Sequence, residues 1–265
     1  MLLLILLTPL LLVARGVDRA RQDALKAQCA GDLTVLSIAL LQYAETYGTF
    51  PPGTVANPSL PPNRRLSWVT EVWNYVDSGA VLTIDPTKGW QEPPNWPIPF
   101  MAKTGTTFVG MTPADTMHFV ICNKDPARSG RRPPFPLGYV GIAGLGPDAA
   151  TLRAGHHRAG VFGYDRVTKL ADIRDGTSRT MMLAETGVGH APWSAGGPTS
   201  VRGVDPATRP YLGRGRPFGG YHPGGANVAM ADGSVRFVRE SVDPRVFEAL
   251  ATIAGGEALP AEWGR

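Results

Sequence analysis

Hydrophobic positions follow a long period at the N-terminus and a short one afterwards. Leu2 to Ala14 is nearly all apolar, interrupted by Thr8-Pro9. From about Asp18 to Tyr47 the pattern is helical. It opens polar (DRARQDALKAQ) and then places Leu33, Leu36, Leu40, Tyr43 and Tyr47 at 3-4-3-4 spacing, one stripe of a helix. Gly48 and Pro51-Pro52 end it. Continuous from about Leu10 to Tyr47, such a helix would be roughly 55 Å long. An apolar start, a charged middle and an amphipathic end describe a stalk. One end sits in a membrane or filament core and the other lies on a sheet.

Beyond Pro51 the period shortens. LSWVTEVWNYV, Leu66 to Val76, predicts a short helix with Trp68, Val72 and Tyr75 or Val76 inward. Strands are expected at Phe119 to Cys122, Gly138 to Gly144 and Thr180 to Glu185. A hairpin is expected around Asp232-Gly233, a preferred two-residue turn because both positions tolerate positive φ. Pairing outward sets Met230 against Val235 and Val228 against Phe237. Val228, Met230, Val235 and Phe237 then share one face, and Ala229, Ala231, Ser234 and Arg236 the other. Asp243-Pro244 opens a last helix as N-cap and first helical residue. Val246, Phe247, Leu250 and Ile253 form its apolar face, and Gly255-Gly256 closes it. Glu257 to Arg265 reads as a loose tail. The expectation is an α+β fold: a long N-terminal helix packed on an antiparallel β-sheet, long Gly/Pro-rich loops and a short C-terminal helix. It divides into an apolar anchor (1–17), a helical stalk (18–50), a globular β-rich part (51–257) and a tail (258–265).

Composition supports this and narrows the partners. Of 265 residues, 32 are Gly and 25 Pro, which favours short strands and loops over a helical bundle. The formal net charge is +4, but the basic residues are scattered with no stripe interleaved with aromatics. A nucleic-acid partner is therefore not expected.

Candidate chemistry is sparse. His222 precedes Asp232-Gly233 by nine intervening residues. An extended strand from Ala226 to Ala231 alone spans roughly 15–20 Å, so the two cannot ligate one metal. Asp232 makes the turn, and His222 anchors the loop entering the sheet through backbone hydrogen bonds. His156-His157 lacks a carboxylate or Cys cluster to complete a metal set. Asp172, Asp175 and Glu185 read as turn formers, with structural calcium through added backbone carbonyls as the alternative. GIAGLG (Gly141, Gly144, Gly146) has no following helix and no Lys-Ser/Thr pair, so it marks close strand approach and not a phosphate loop. Trp68, Trp73, Trp90, Trp96 and Trp193 serve either the core and loops or a carbohydrate groove. Cys29 and Cys122 lie in no CxxC or metal spacing. They either form a disulfide tying the N-terminal helix to the globular part in an oxidising compartment, or are two buried thiols. There is no HExxH or GxSxG. No catalytic residue, metal or other cofactor is expected.

Several segments together resemble a bacterial family of prepilin-like proteins of unknown function. FGGYHPGGANVAMADGSVRFVRESVDPRVFEAL resembles the family's closing signature, a His, nine residues and Asp-Gly, here His222, Asp232 and Gly233. ARQDALKAQCAGDLTVLSIALLQYAETYGTFPPG resembles its helix and following turn. FVICNKDP, YVGIAG and ADIRDGTSRTMMLAET resemble its inner blocks. The resemblance implies a pseudopilin-like fold and export. It implies a single N-terminal membrane anchor with the globular part extracytoplasmic, and a structural role beside other pseudopilin-like subunits or secretion machinery of a type II secretion-like or pilus-like assembly. The prepilin-type basic leader and cleavage junction are missing, and LLLILLTPLLL looks like the distal half of the apolar segment. Two other readings are a carbohydrate- or polymer-binding surface module on the same scaffold, and a metal hydrolase using His156, His157 or His222.

Overall fold

The apolar and amphipathic patterns merge into one helix, α1 (Leu2–Tyr47). The computed structural model describes residues 2–76, 80–96, 100–102, 120, 122, 136–189 and 191–264. The 46 residues of α1 make a rod of about 69 Å. Its two parts differ sharply. Val13 to Arg21 is exposed throughout, whereas Cys29, Leu33, Leu36 and Leu40 are fully buried. The buried stripe leaves through Ala44, because 3.6 residues per turn carries Tyr43 and Tyr47 off its centre. Tyr47 is 63% exposed and packs on Tyr43, with ring centroids 4.4 Å apart. The expected inward position of Tyr47 is thereby corrected.

Short elements follow. Helix α2 (Trp68–Val72) buries Trp68 and Val72, with Val76 just beyond, as its spacing predicts. β1 (Ala80–Leu82) and β2 (Phe100–Ala102) form a separate antiparallel pair. The strand expected at Phe119 to Cys122 falls largely outside the described residues; Val120 and Cys122 are buried.

The main sheet contains β3 (Tyr139–Leu145), β4 (Met181–Glu185), β5 (Val201–Val204), β6 (Gly225–Met230) and β7 (Val235–Arg239). Its order is β5-β3-β4-β6-β7. Every neighbouring pair is antiparallel except β3 with β5, which is parallel. The sheet is therefore mixed and not purely antiparallel. The cause is the Gly/Pro-rich connection after β4. It reverses the chain but skips over β3, so β5 lands parallel to the strand it passed.

The hairpin forms where expected, in a different register. Ala229 pairs with Val235 and Val228 with Arg236, one residue away from pairing about a two-residue turn. Met230 N–H donates to the Ser234 carbonyl at 2.8 Å, and Gly233 N–H to the Met230 carbonyl at 2.9 Å. The loop is thus Ala231-Asp232-Gly233, with Gly233 at φ 87°. A three-residue loop of this kind ends on a glycine in the left-handed region. One extra residue exchanges the faces of the second strand. Ala229 and Val235 consequently pack on the α1 side, while Val228, Met230 and Val238 face away.

That other face is covered by α3 (Pro244–Ala249). The Asp243 carboxylate accepts from Arg245 N–H at 2.8 Å, and Phe247 and Leu250 are buried against the sheet. The tail is docked, not loose: Leu259 and Trp263 pack on the same cluster. Arg166, which the sequence did not single out, is buried and donates to the carbonyls of Ala143, Ala149, Leu152, Gly160 and Phe162. Burial pushes its guanidinium down to about 10.

Candidate functional site

Four strands put one residue each into a row beneath α1. Tyr139 on β3 lies opposite Glu185 on β4. The β4–β6 register, with Ala184 opposite Val228, continues to set Glu185 beside Asn227. Asn227 lies opposite Phe237 on β7. One turn of α1 crosses this row. The Tyr139 hydroxyl donates to the Cys29 carbonyl at 3.1 Å, and Asn227 Nδ2 donates to the Lys26 carbonyl at 3.1 Å. The Lys26 ammonium stands 4.8 Å from the centre of the Phe237 ring, a cation–π distance.

Glu185 is the centre of the row and has no exposure at all. A carboxylate is tolerated there only with donors around it. It accepts from Asn227 N–H at 2.7 Å and Asn227 Nδ2 at 2.8 Å. His222 Nε2 lies 3.3 Å from Glu185 Oε1. His222 arrives through a tight turn. Gly224 takes φ 83°, which a glycine adopts without strain, and His222 folds back to bridge Gly225 at the start of β6. That bridge ties the loop to the start of β6 through backbone, while the imidazole meets side chains. The imidazole does more: it is 3% exposed, and Nε2 also lies 3.4 Å from Cys122 Sγ.

Cys122 and Cys29 form a disulfide, so of the two alternatives left open the chain takes the bonded one. The bond ties α1 to a segment 93 positions later. Cys29, Cys122, Glu185 and His222 are all buried, and their donor atoms lie within 4.8 Å of one another. Two polar atoms nearby, His222 Nδ1 and Gln22 Oε1, are buried without a hydrogen-bond partner among the described residues. A cavity of about 370 Å³ opens beside them, lined by Arg19, Gln22, Asp23, Lys26, His222 and Pro223. Arg19, Gln22, Lys26, Cys29 and Leu33 follow 3-4-3-4 spacing. The stripe that is apolar over the core thus continues as polar side chains over this cavity.

The other candidate residues lie elsewhere. Asp232 Oδ1 accepts from Ser234 N–H and Oγ at 2.9 and 2.6 Å, in the turn at the far end of β6 from His222. The His156 and His157 rings stack at 4.6 Å, and His156 Nδ1 accepts from Arg158 N–H. Asp172 accepts from Lys169 N–H at 2.9 Å, while Asp175 accepts from Gly255 and Gly256 N–H at 2.8 and 3.0 Å. Asp172 thus caps local backbone, Asp175 ties its turn to the distant Gly255-Gly256 backbone, and Glu185 sits under α1. Trp68, Trp73 and Trp193 are buried, the last two stacked at 5.2 Å. Trp90 and Trp96 are half-buried and meet edge to face at 6.5 Å. Gly141 and Gly144 are close-approach positions. A Cβ on Gly141 would stand 2.7 Å from the Phe162 ring, and one on Gly144 2.0 Å from the Arg158 carbonyl.

Sequence reading missed Tyr139, Asn227 and Lys26. For Tyr139 and Asn227 the available signal was a polar group at a strand position on the same face as buried neighbours; for Lys26 on α1 it was helical spacing from Cys29.

No curated protein and no solved structure matches the chain. A family model described as "Protein of unknown function (DUF1559)" matches residues 18–206 and 194–245. The matched region includes Cys29, Cys122, Glu185, His222 and the Asp232-Gly233 turn. The chain therefore belongs to this DUF1559 family of proteins of unknown function.

Proposed function

We propose that this protein is an exported, membrane-anchored structural subunit of prepilin or pseudopilin type, working in a type II secretion-like or pilus-like assembly and performing no catalysis. The asymmetry of α1 carries the reading. One end of the helix is bonded into the globular body, whereas Val13 to Arg21 is exposed throughout. By length and composition α1 qualifies to cross a membrane, and the apolar run Leu2 to Ala14 lies at its outer end. A disulfide suits an oxidising compartment outside the cytoplasm. His222 and Asp232-Gly233 bracket β6 from its two ends, which suits a motif that builds the scaffold.

Fractionation of native cells tests this. The protein should sediment with membranes, resist alkaline extraction and dissolve in detergent, with its globular part open to protease added from outside the cytoplasmic membrane. Recovery as a freely soluble species from the same cells would remove the anchored-subunit reading.

A further inference from the structure

We propose that Cys29, Cys122, Glu185 and His222 form a redox-gated site for a tetrahedral divalent transition metal, with Zn²⁺ the best fit. The site is closed while the two sulfurs are joined and opens when a dithiol reductant cleaves them.

The donor chemistry is the first support. Two thiolates, an imidazole and a carboxylate are the ligand types Zn²⁺ selects, four at a time. The geometry is the second. With Zn–S near ~2.3 Å, Zn–N near ~2.05 Å and Zn–O near ~2.1 Å, a tetrahedron has an S–N edge of about 3.5 Å and an N–O edge of about 3.4 Å. Cys122 Sγ stands 3.4 Å from His222 Nε2, and His222 Nε2 stands 3.3 Å from Glu185 Oε1. Two edges are therefore in place before any metal arrives. The sulfurs must part to about 3.8 Å, and the remaining three edges start from within 4.8 Å. The four residues come from α1, the Cys122 segment, β4 and the turn before β6, so the packed fold already holds them together.

The unpartnered atoms are the third support. A buried polar atom without a partner calls for an explanation. A metal on Nε2 leaves the imidazole proton on Nδ1, which then becomes a donor. Gln22 Oε1 is an acceptor, is equally unpartnered, and lines the same cavity as His222. The two are complementary when Nδ1 carries a proton, the tautomer that a metal on Nε2 imposes. Asn227 holds both carboxylate oxygens, its backbone N–H on Oε2 and its Nδ2 on Oε1, and the second lone pair of Oε1 remains for the metal.

The step balances. The dithiol gives two electrons and two protons to the Cys29–Cys122 bond and closes its own disulfide. Two thiols result. Metal binding then releases both thiol protons to solvent and forms two metal–thiolate bonds.

The full chain, reduced or left oxidised, is titrated with Co²⁺ as an optical reporter. The expected result is one Co²⁺ per reduced chain with tetrahedral visible bands and a thiolate-to-cobalt charge-transfer band, displaced by Zn²⁺ and absent from the oxidised chain. His222→Gln and Glu185→Gln should each weaken binding at least ~10-fold, as loss of a ligand or its support does. Unchanged affinity in both variants would mean simple chelation by two thiols and would overturn the site. A reduced chain that keeps its native circular dichroism but takes up no cobalt overturns it too. If reduction unfolds the chain, restoration of native circular dichroism by Zn²⁺ supports the site, and failure to restore it refutes it. Cys29 lies in the part of α1 buried against the sheet and the other three ligands lie in the body, so the test holds whether or not the exposed end of α1 enters a membrane.

Discussion

The two faces of the main sheet are built on different terms. Under α3, Val140, Ile142, Met181, Ala184, Val228 and Met230 meet Phe247 and Leu250 in an apolar layer. Under α1, Leu183 and Ala229 share the face with Tyr139, Glu185 and Asn227. Burial on the first face is non-directional and tolerates rearrangement at constant volume. On the second face, two hydrogen bonds, a disulfide and a cation–π contact all fall on α1 between Lys26 and Cys29. Directional contacts within one helical turn fix both the axial position and the rotation of the helix. One face supplies stability by area, and the other holds α1 in a single seat.

The largest effect should come from breaking that seat. Replacing Cys29 and Cys122 together by Ala releases a closed loop set by a 93-residue separation. It should cost about 4–5 kcal/mol in chemical denaturation, the entropy of closing a loop near that length. Phe247→Ala strikes the opposite face. It should cost about 4 kcal/mol as lost transfer energy plus a cavity among Tyr211, Phe218 and the strands. A sharper contrast uses nearly isosteric changes. Glu185→Gln should cost about 2 kcal/mol, because an acceptor held by two Asn227 donors is replaced by an amide that leaves one of them opposed to N–H, whereas Met230→Leu should cost under about 1.5 kcal/mol. Equal costs on the two faces would dissolve the distinction.

The smallest effect lies at the rim, on the Arg158–Asp148 pair, bonded at 2.7 and 2.8 Å. Hydrogen bonding from Arg158 holds Asp148 down to about 2, below its ordinary 3.8. A lowered carboxylate value means a stabilising contribution that is present above about pH 4 and lost as pH falls through about 2. Arg158→Gln should lower the melting temperature slightly at neutral pH, flatten its fall between about pH 4 and pH 2, and leave it unchanged below that window.

What was legible in the sequence was local. The long helix, the α3 cap at Asp243, the strand β4 and the presence of a turn at Asp232-Gly233 all follow from spacing within a few residues. The hairpin register slipped because Asp-Gly reads as a two-residue turn while the chain uses three, and parity decides which residues face α1. The parallel edge strand β5 was illegible because a loop's destination is not written in its composition. The site was half legible. Cys29, Cys122, His222 and Glu185 each stood out, but for separate reasons, Glu185 as a turn former with calcium as the alternative. Their meeting depends on the strand order β3-β4-β6 and on a 93-residue span, neither of which any local pattern encodes. The tail was misread because the surface that receives Trp263 is built by β7 and α3 together, which no local pattern in the tail encodes.

The exposed stretch of α1 from Val13 to Arg21 is helical and not a slack linker. Rod-like continuity makes the distance and the azimuth between its two ends a single mechanical quantity. Inserting one residue there lengthens the rod by about 1.5 Å and turns the globular body by about 100° around it. Inserting seven residues adds about 10 Å and restores the original facing to within about 20°. Any surface of the body that must face a fixed neighbour is therefore tuned by helical phase, so the number of residues in this stretch matters more than their identity.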